Sequence, residues 1–301
     1  MDMPDHLHFT RLHRSGRVRI TDVRCRPTTC ACGAEEESTS HSIAFPRAGV
    51  FIKHLGRQRV VADSNQVMFF NGGETYQVSH PVPGGDDCTS FAFPDDVLLD
   101  ALSRFETGVR DQSRSLFEFT HTANEPKTIF FLQGLRQTLR SAGASGLAVD
   151  EMSLDLLAAV IDVAYRSRGR RPLPTPTKAR RVQRERAEAA KQFLASRFQT
   201  PLGLGDVGRA VHYSPYHLAR VFRQIVGIPI HQYLIRLRLG AALERLAGGA
   251  TDLTELALDL GYSSHSHFSE AFRRAFGCAP SNFRDRLTSD RLRELSKNLK
   301  V

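Results

Sequence analysis

The chain of 301 residues is long enough for about two domains of ordinary size. It contains 41% hydrophobic and 24% charged residues, as globular proteins do, and no stretch approaches the ~18 consecutive apolar residues of a membrane-spanning helix. Residues 176–301 carry 21 basic against 11 acidic side chains, a net charge of +10, whereas residues 1–175 carry 20 against 21, or −1. A basic part joined to a neutral one indicates a polyanionic partner for the basic part alone, and charge by itself does not separate nucleic acid from an anionic membrane.

The beginning of the chain and its cysteines give no sign of export. The first six residues contain no basic segment followed by an apolar run, so we expect no secretory signal and a cytoplasmic location. The five cysteines are an odd number, which does not suit a disulfide framework and fits a reducing compartment.

The first ~120 residues have the pattern of a β-rich domain. Short apolar stretches at 18–20, 42–45, 49–52 and 66–70 are separated by turn-forming glycine, proline and asparagine residues. Glycine and asparagine adopt positive φ angles at little cost, which suits tight turns. Many short strands at this spacing predict a small barrel or sandwich.

Helices are predicted after the strands, at about 125–142 and 149–166. The second has an amphipathic face made of Met152, Leu156, Leu157, Val160 and Val163. Alternating prolines between Arg168 and Pro176 then predict an extended linker, at the point where the charge balance changes. Beyond the linker we expect helices to the end, the first at about 178–198.

The C-terminal part contains an internal repeat. Residues 206–223 and 255–273 have the same pattern of short helix, tight turn and second helix, and the second copy has one extra residue in its turn. Ser214 and Ser264 stand where a hydroxyl can cap the second helix of each copy. The repeat therefore predicts two helix-turn-helix units, joined by a long helix at about 230–247.

In a helix-turn-helix unit the second helix enters the major groove of DNA. In the first copy Leu218, Val221 and Phe222 form one face, which we expect to be buried. A rigid connecting helix would hold the two second helices about 34 Å apart, so that they enter successive major-groove segments on one side of the duplex. The alternative of a duplicated, purely structural hairpin is disfavoured by the N-caps and the net charge. The core side of the connecting helix is predicted to contain Tyr233, Leu234, Leu237, Ala241 and Leu246.

This part of the chain resembles the AraC/XylS family of transcription regulators over about residues 187–286. The resemblance implies bacterial control of transcription through a DNA-binding domain with two helix-turn-helix units. It is carried by Arg238, Leu239 and Ala242 and by Leu253-Thr254-Glu255-Leu256-Ala257, Gly261-Tyr262-Ser263, His267-Phe268-Ser269, Phe272-Arg273, Phe276-Gly277 and Pro280-Ser281-Asn282-Phe283-Arg284.

The resemblance also implies which residues contact DNA. Among the base-contact candidates Arg220 is favoured, because arginine can pair bidentately with guanine. The phosphate candidates would give affinity and salt dependence rather than specificity; each of these arginines could instead be an exposed solubilising charge, and Arg284 a structural pair. The base-contact candidates are Tyr216, Ala219, Arg220, His265, Ser266, Ser269 and Glu270, and the phosphate candidates are Arg223, Arg273, Arg274 and Arg284.

Two features depart from the family pattern. Glu270 stands where the family commonly has a basic residue, and a glutamate there could accept a hydrogen bond from cytosine N4 instead. Gly203, Gly205 and Gly208 crowd the first short helix, and each glycine disfavours helix by ~1 kcal/mol, so we expect the first unit to be the less stable.

The segment 67–81 is similar to the cupin-like β-barrel that precedes the DNA-binding part in many family members, which implies a ligand-binding or dimer-forming domain. The helices that follow resemble dimerisation helices. Their apolar face could equally well only cover the barrel, and the two interpretations have equal weight. No closely spaced histidine cluster with a carboxylate is visible, so cupin catalysis is disfavoured.

The N-terminal cysteines permit a sharper hypothesis. Cys25, Cys30, Cys32 and Cys88, with His80, could assemble a site for zinc or a soft metal, or form a redox switch. The favoured alternative is that Cys25 and Cys88 are small buried apolar residues. We therefore expect no cofactor.

The sequence thus predicts an α+β multidomain protein that is not an enzyme. A DNA-repair protein whose zinc-bound cysteine accepts a methyl group, and an architectural DNA binder, are the alternatives. We expect double-stranded DNA and RNA polymerase as partners, an unidentified small-molecule or redox effector, a homodimer and no membrane. The predicted divisions are a cupin-like sensory domain at 1–122, a helical linker or dimerisation segment at 123–167, a proline-rich linker at 168–177 and the DNA-binding domain at 178–301.

Overall fold

The computed structural model describes residues 7–27, 32–105, 115–141, 145–168 and 178–283. In these ranges the protein is α+β, with a β-rich N-terminal part and an all-helical C-terminal part. The strands are β1 (Leu7–Arg14), β2 (Arg19–Cys25), β3 (Glu36–Glu37), β4 (Ser42–Gly49), β5 (Phe51–Leu55), β6 (Gln58–Ala62), β7 (Gln66–Phe70), β8 (Thr75–Ser79), β9 (Asp86–Ala92) and β10 (His121–Ala123).

The helices are close to the predicted ones. The predicted segments 125–142, 149–166 and 178–198 correspond to α2, α3 and α4, and the connecting helix α7 has the predicted bounds. None of the helices in the described ranges has the length and apolarity needed to cross a membrane. The helices are α1 (Asp95–Ser103), α2 (Pro126–Arg140), α3 (Gly146–Arg168), α4 (Lys178–Arg197), α5 (Leu204–Ala210), α6 (Pro215–Val226), α7 (Ile230–Ala247), α8 (Leu253–Asp259) and α9 (His265–Phe276).

The described strands form two open antiparallel sheets. One has six strands in the order β1-β2-β9-β4-β7-β10, and the other has four in the order β3-β8-β5-β6. The terminal strands of the described sheets do not pair to close a barrel, so the β-rich part of the prediction is confirmed and the closed barrel is not. A small apolar cluster joins the sheets, with Ala44 and Met68 from the larger sheet and Phe51 and Val60 from the smaller one.

The other face of the six-stranded sheet is covered by helices of the same chain. Side chains alternate across a strand, so Phe69 points to this face while its neighbour Met68 points between the sheets. Leu156 and Val160 of α3 pack against Phe69 and its neighbours. Of the two interpretations of the α3 face, the structure supports the one in which it covers the sheet. The predicted proline-rich linker lies, from residue 169 to 177, outside the described residues.

The two parts of the protein are docked by aromatic contacts of α2 and by a close approach of α7 to the β-domain. Phe130 of α2 packs against Phe276 and Phe283 of the second helix-turn-helix region, with ring centroids 5.9 and 5.5 Å apart. A Cβ added to Gly240 of α7 would lie 2.8 Å from the Ser64 hydroxyl oxygen, so the helix backbone approaches the β-domain closely. Four of the five residues predicted for the core side of α7 are buried and Ala241 is half-buried, and residues outside that set, such as Leu239 and Leu243, are buried too.

Buried polar groups connect the same two parts. The Tyr233 hydroxyl of α7 donates to Asp63 Oδ2 at 2.6 Å. Nearer the C-terminal end of α7, Glu244 accepts from Arg47 Nη1 at 2.8 Å and from Arg136 Nη1 at 3.1 Å. Both arginines also contact Asp22. This set of Asp22, Arg47, Arg136 and Glu244 is called the Glu244 network below.

Helix α4 completes the docking at the edge of the smaller sheet. β6 is an edge strand, which leaves backbone groups without a strand partner. The Val61 N–H donates to Glu188 Oε2 at 2.8 Å, and Lys191 Nζ donates to the Val61 carbonyl oxygen at 3.0 Å. Two side chains of α4 therefore take the place of a neighbouring strand.

Candidate nucleic-acid interface

Helix α6 has clear signals at both ends. Ser214 caps it by accepting from the His217 N–H at 3.3 Å, Pro215 occupies the first position, and Gly227 ends it in the left-handed conformation. The prediction of Ser214 as the N-cap is confirmed. A helix fixed in this way presents its faces at defined angles.

The two faces of α6 are chemically opposite. Leu218, Val221 and Phe222 are buried against α4 and α7, as predicted. The other face presents the predicted DNA contacts: Tyr216 is 83% exposed, Ala219 is half-buried, and Arg220 and Arg223 are exposed. These four positions follow the i, i+3, i+4, i+7 spacing of one helical face.

Helix α9 repeats the arrangement. Ser264 accepts from the His267 N–H at 3.2 Å, Phe268 and Phe272 are fully buried, and Gly277 ends the helix in the left-handed conformation. Because Phe268 corresponds to Leu218, Ser266 corresponds to Tyr216, Ser269 to Ala219, Glu270 to Arg220 and Arg273 to Arg223. The exposed or half-buried side of α9 contains His265, Ser266, Ser269, Glu270, Arg273 and Arg274; Arg284 lies outside the described residues.

The turns of the two units also correspond. His212 (φ 53°) and Gly261 (φ 80°) both adopt the left-handed conformation at the same place in the two turns. The next residue then donates its N–H back to the first helix, from Tyr213 to Gly208 O and from Tyr262 to Ala257 O. Four residues separate α5 from α6 and five separate α8 from α9, which is the predicted extra residue.

Known proteins resemble this part of the chain. Residues 207–286, which span both units, match the family model described as "Helix-turn-helix domain". The regulatory protein SoxS of Escherichia coli K12 is 36% identical over 95 residues, which are 32% of this chain and 89% of SoxS. The transcriptional activator AarP of Providencia stuartii is 34% identical over 83 residues, or 28% of this chain and 62% of AarP. Among solved structures, the C-terminal domain of AraT from Geobacillus stearothermophilus is 28% identical, covers 36% of this chain and 88% of that one, and has a TM-score of 0.32.

The chain belongs to the AraC/XylS family. The expectation of a DNA-binding transcription regulator that is not an enzyme is thereby confirmed. Each of the two curated relatives matches less than a third of the length of this regulator.

One base-contact candidate of this AraC/XylS regulator, Glu270, forms an ion pair within α9 in the absence of DNA. Glu270 Oε1 accepts from Arg274 Nη2 at 2.5 Å, an ion pair one helical turn apart, and both side chains are more than half exposed. Exposed pairs of this kind contribute at most about 1 kcal/mol, so DNA could open it at little cost. A contact from Glu270 to a base would free Arg274 for a phosphate.

Two residues that support this interface structurally were not identified in that role from the sequence. Buried Arg238 of α7 donates to the carbonyl oxygens of Phe198 (2.7 Å) and Thr200 (3.0 Å), just after α4, and its guanidinium lies 5.6 Å from the Tyr262 ring of the second unit. It thus ties α4 to the second helix-turn-helix unit. Gly208 is also structural: a Cβ there would lie 2.8 Å from the Tyr213 carbonyl oxygen, so the tight turn needs a residue without a side chain.

The N-terminal cysteine candidates lie in the β-rich part of the protein, and the structure brings only some of them together. Cys25, His80 and Cys88 are buried near one another, and Asp86, which was not predicted, lies among them. Cys32 is exposed, and Cys30 lies outside the described residues. Burial opposes protonation of His80, but hydrogen bonds to Asp86 and Cys25 outweigh it and raise the pKa of His80 to about 9.

Proposed function

We propose that this regulator binds DNA with α6 and α9 in two successive major-groove segments. The observation that carries the proposal is the pair of matching exposed faces, each backed by buried apolar residues and capped by serine. Base contacts are assigned to Tyr216, Ala219, Arg220, His265, Ser266, Ser269 and Glu270, and phosphate contacts to Arg223, Arg273, Arg274 and Arg284.

The N-terminal domain is proposed to control DNA binding in response to an effector. The support is its direct docking on α7, the helix between the two units: any change at Asp63 or in the Glu244 network alters the surroundings of that helix. The cleft between α1 and α3, about 670 Å³ and lined by Arg17, Asp100, Arg104, Leu157 and others, could admit a small molecule.

The remaining assignments are part of the same proposal. Since AarP is a transcriptional activator, we propose activation through RNA polymerase, in the cytoplasm and as a homodimer. We also propose a cupin-like sensory role for residues 1–122, a linking segment at 123–167, a linker at 168–177 and DNA binding by 178–301. A dimer would need a surface other than the buried face of α3.

The test is selection of bound duplexes from a randomised pool with the full chain at moderate salt. Replacing Arg220 with alanine is expected to weaken binding to the selected site by about 1–3 kcal/mol and to relax one base preference. Replacing Arg223 with alanine, one turn further along the same face, is the matched control. It is expected to weaken binding to all sequences alike and to lower the salt slope by about one.

Two results would contradict the proposal. Failure of the wild-type chain to enrich any sequence would remove sequence-specific recognition altogether. If the Arg220→Ala and Arg223→Ala variants both kept the wild-type base preferences and salt slope, α6 would not be a recognition helix.

A further inference from the structure

The cluster of Cys25, His80, Asp86 and Cys88 lies at one end of the interior between the two sheets. Cys25 and Asp86 are directly opposite each other in the β2–β9 pair, and Cys88 is two residues further along the same face of β9. His80 comes from the other sheet, one residue after the end of β8. The cluster therefore contains side chains from both sheets.

The donor atoms of three of these residues converge. The thiol sulfur of Cys25, a ring nitrogen of His80 and a carboxylate oxygen of Asp86 all lie within 4.8 Å of one another. His80 Nε2 is 2.7 Å from Asp86 Oδ1, and the Cys88 thiol donates to the second oxygen, Oδ2, at 3.0 Å. All four side chains are at least nine-tenths buried.

The backbone segments around the cluster approach each other so closely that Gly85 and Gly49 leave no room for a side chain. A Cβ built on Gly85 would lie 1.9 Å from the Cys25 carbonyl oxygen, and one built on Gly49 would lie 2.0 Å from the Gly85 carbonyl oxygen. Both glycines also have positive φ angles. Arg26 Nη1 donates to the carbonyl oxygens of Cys25 and Asp86, which fixes the two strand ends relative to each other.

We propose that Cys25, His80 and Asp86 are three protein ligands of a Zn²⁺ ion that joins the two sheets. Sulfur, imidazole nitrogen and carboxylate oxygen are the three ligand types of protein zinc sites, at about 2.0–2.3 Å from the metal. Mg²⁺ and Ca²⁺ are disfavoured because they select oxygen ligands. A thiolate and a carboxylate would balance the double positive charge, so the filled site is neutral, as a buried site requires.

Cys88 has a different role in this proposal. The Cys88 thiol donates a hydrogen bond to Asp86 Oδ2 at 3.0 Å and is not one of the three converging donors. It is thus a positioning residue that orients the carboxylate toward the metal. Two arginines lie near the cluster, and each has an acidic partner of its own: Arg26 pairs with Asp87 at 2.6 Å, and Arg47, which also interacts electrostatically with Cys88, pairs with Glu244 at 2.8 Å.

The test measures metal directly in the full-length chain. The protein is stripped with a chelator, reloaded with Zn²⁺, freed of excess metal by gel filtration and analysed for its elements. We expect one zinc per chain and a higher melting temperature in the loaded protein, because a ligand of the folded state stabilises it by mass action. Co²⁺ in place of Zn²⁺ should show a thiolate-to-metal charge-transfer band.

Substitutions distinguish the proposed zinc ligands from neighbouring residues that do not bind the metal. Cys25→Ser, His80→Gln and Asp86→Asn are each expected to lose the retained zinc, and Cys25→Ser also the charge-transfer band. Cys88→Ser should retain both, because a hydroxyl can still donate to Asp86. Cys32→Ser, which changes an exposed cysteine of the same domain, is the matched control and should behave as wild type.

The proposal is overturned if the wild-type chain retains no zinc and gains no thermal stability from it, whether or not the variants fold. It is equally overturned if Cys32→Ser loses as much metal as Cys25→Ser. Neither result touches the assignment of α6 and α9, because sequence selection from a duplex pool is measured separately.

Discussion

At the scale of single residues, the turns of the two helix-turn-helix units adopt the same left-handed conformation with different residues. Both need a left-handed residue, a conformation that costs roughly 1–2 kcal/mol with a side chain and little with glycine. The second turn has Gly261, and the first has His212. The strained φ angle of His212 is therefore a second reason to expect lower stability of the first unit. Gly208, by contrast, is required by close packing in the turn.

We expect Gly261→Ala to lower the free energy of unfolding by about 2 kcal/mol or more, measured by urea denaturation of the full chain. Besides the strained φ angle, the new Cβ would lie 2.7 Å from the Gln199 carbonyl oxygen and 2.8 Å from Arg238 Nη2. His212→Gly is the converse change. It should be neutral or stabilising by up to about 1 kcal/mol, since relief of strain is partly offset by a more flexible unfolded chain. Equal stability of Gly261→Ala and wild type would contradict this account.

The Glu244 network gives a second prediction at this scale. Glu244→Gln removes the only acidic side chain of α7. The buried Arg47 and Arg136 then keep Asp22 as their one acidic partner in the network. Breaking such a pair costs about 3 kcal/mol, because the desolvated cations lose their partner. The control is Asp259→Asn, whose exposed pair with Arg245 (2.7 Å) should contribute at most about 1 kcal/mol. Equal losses in the two unfolding curves would show that the network is not a docking contact.

At the scale of secondary-structure elements, serine caps decide where the DNA-facing helices begin. Ser264→Ala should destabilise α9 by about 1 kcal/mol and increase hydrogen exchange at the His267 amide, which loses its acceptor. Ser264→Thr retains a hydroxyl and should keep most of the protection. Unchanged exchange in the alanine variant would mean that the cap does not order the first turn of α9.

Helix α7 shows what periodicity can and cannot predict at this scale. Of its five predicted core residues, four are buried and Ala241 is half-buried. Residues outside that set are buried as well: Leu239 and Leu243 pack in one cluster with Phe130 of α2, and Arg238 is buried against the carbonyl groups that follow α4. A period of 3.6 identifies the preferred apolar face of a helix but contains nothing about a second domain that packs on its polar side.

At the scale of the whole molecule, Asp63 is a buried acid at the contact between the two parts, where it accepts from Tyr233. Burial, partly offset by the charge of Lys191 and the hydrogen bond from Tyr233, raises the pKa of Asp63 from 3.8 to about 6. The folded protein therefore binds this proton more tightly than the unfolded chain does. The contribution of Asp63 to stability is largest below about pH 4 and falls as the pH rises to about 6.

We accordingly expect the stability of wild type relative to Asp63→Asn to fall by about 2 kcal/mol between about pH 4 and pH 7. Urea unfolding of both proteins across this range is the measurement, and groups other than Asp63 titrate in both and cancel in the difference. A constant or rising difference would show that Asp63 is not the buried acid described here.

The sequence by itself determined the helical repeat, its caps, its buried faces and the family, because these depend on contacts a few residues apart along one chain segment. The same locality made the helix bounds predictable within a few residues. The exposed sides of α6 and α9 followed directly, since what is not buried on an amphipathic helix faces outward.

Only the tertiary structure decided the rest. The closure of the strands, the surface that α3 covers and the contact of α7 with Asp63 depend on residues from about fifty to 170 positions apart, and such pairing leaves no periodic trace in the sequence. Asp86 joined Cys25 and His80 for the same reason: strand register and a glycine-rich turn, rather than sequence spacing, brought the three donor atoms together.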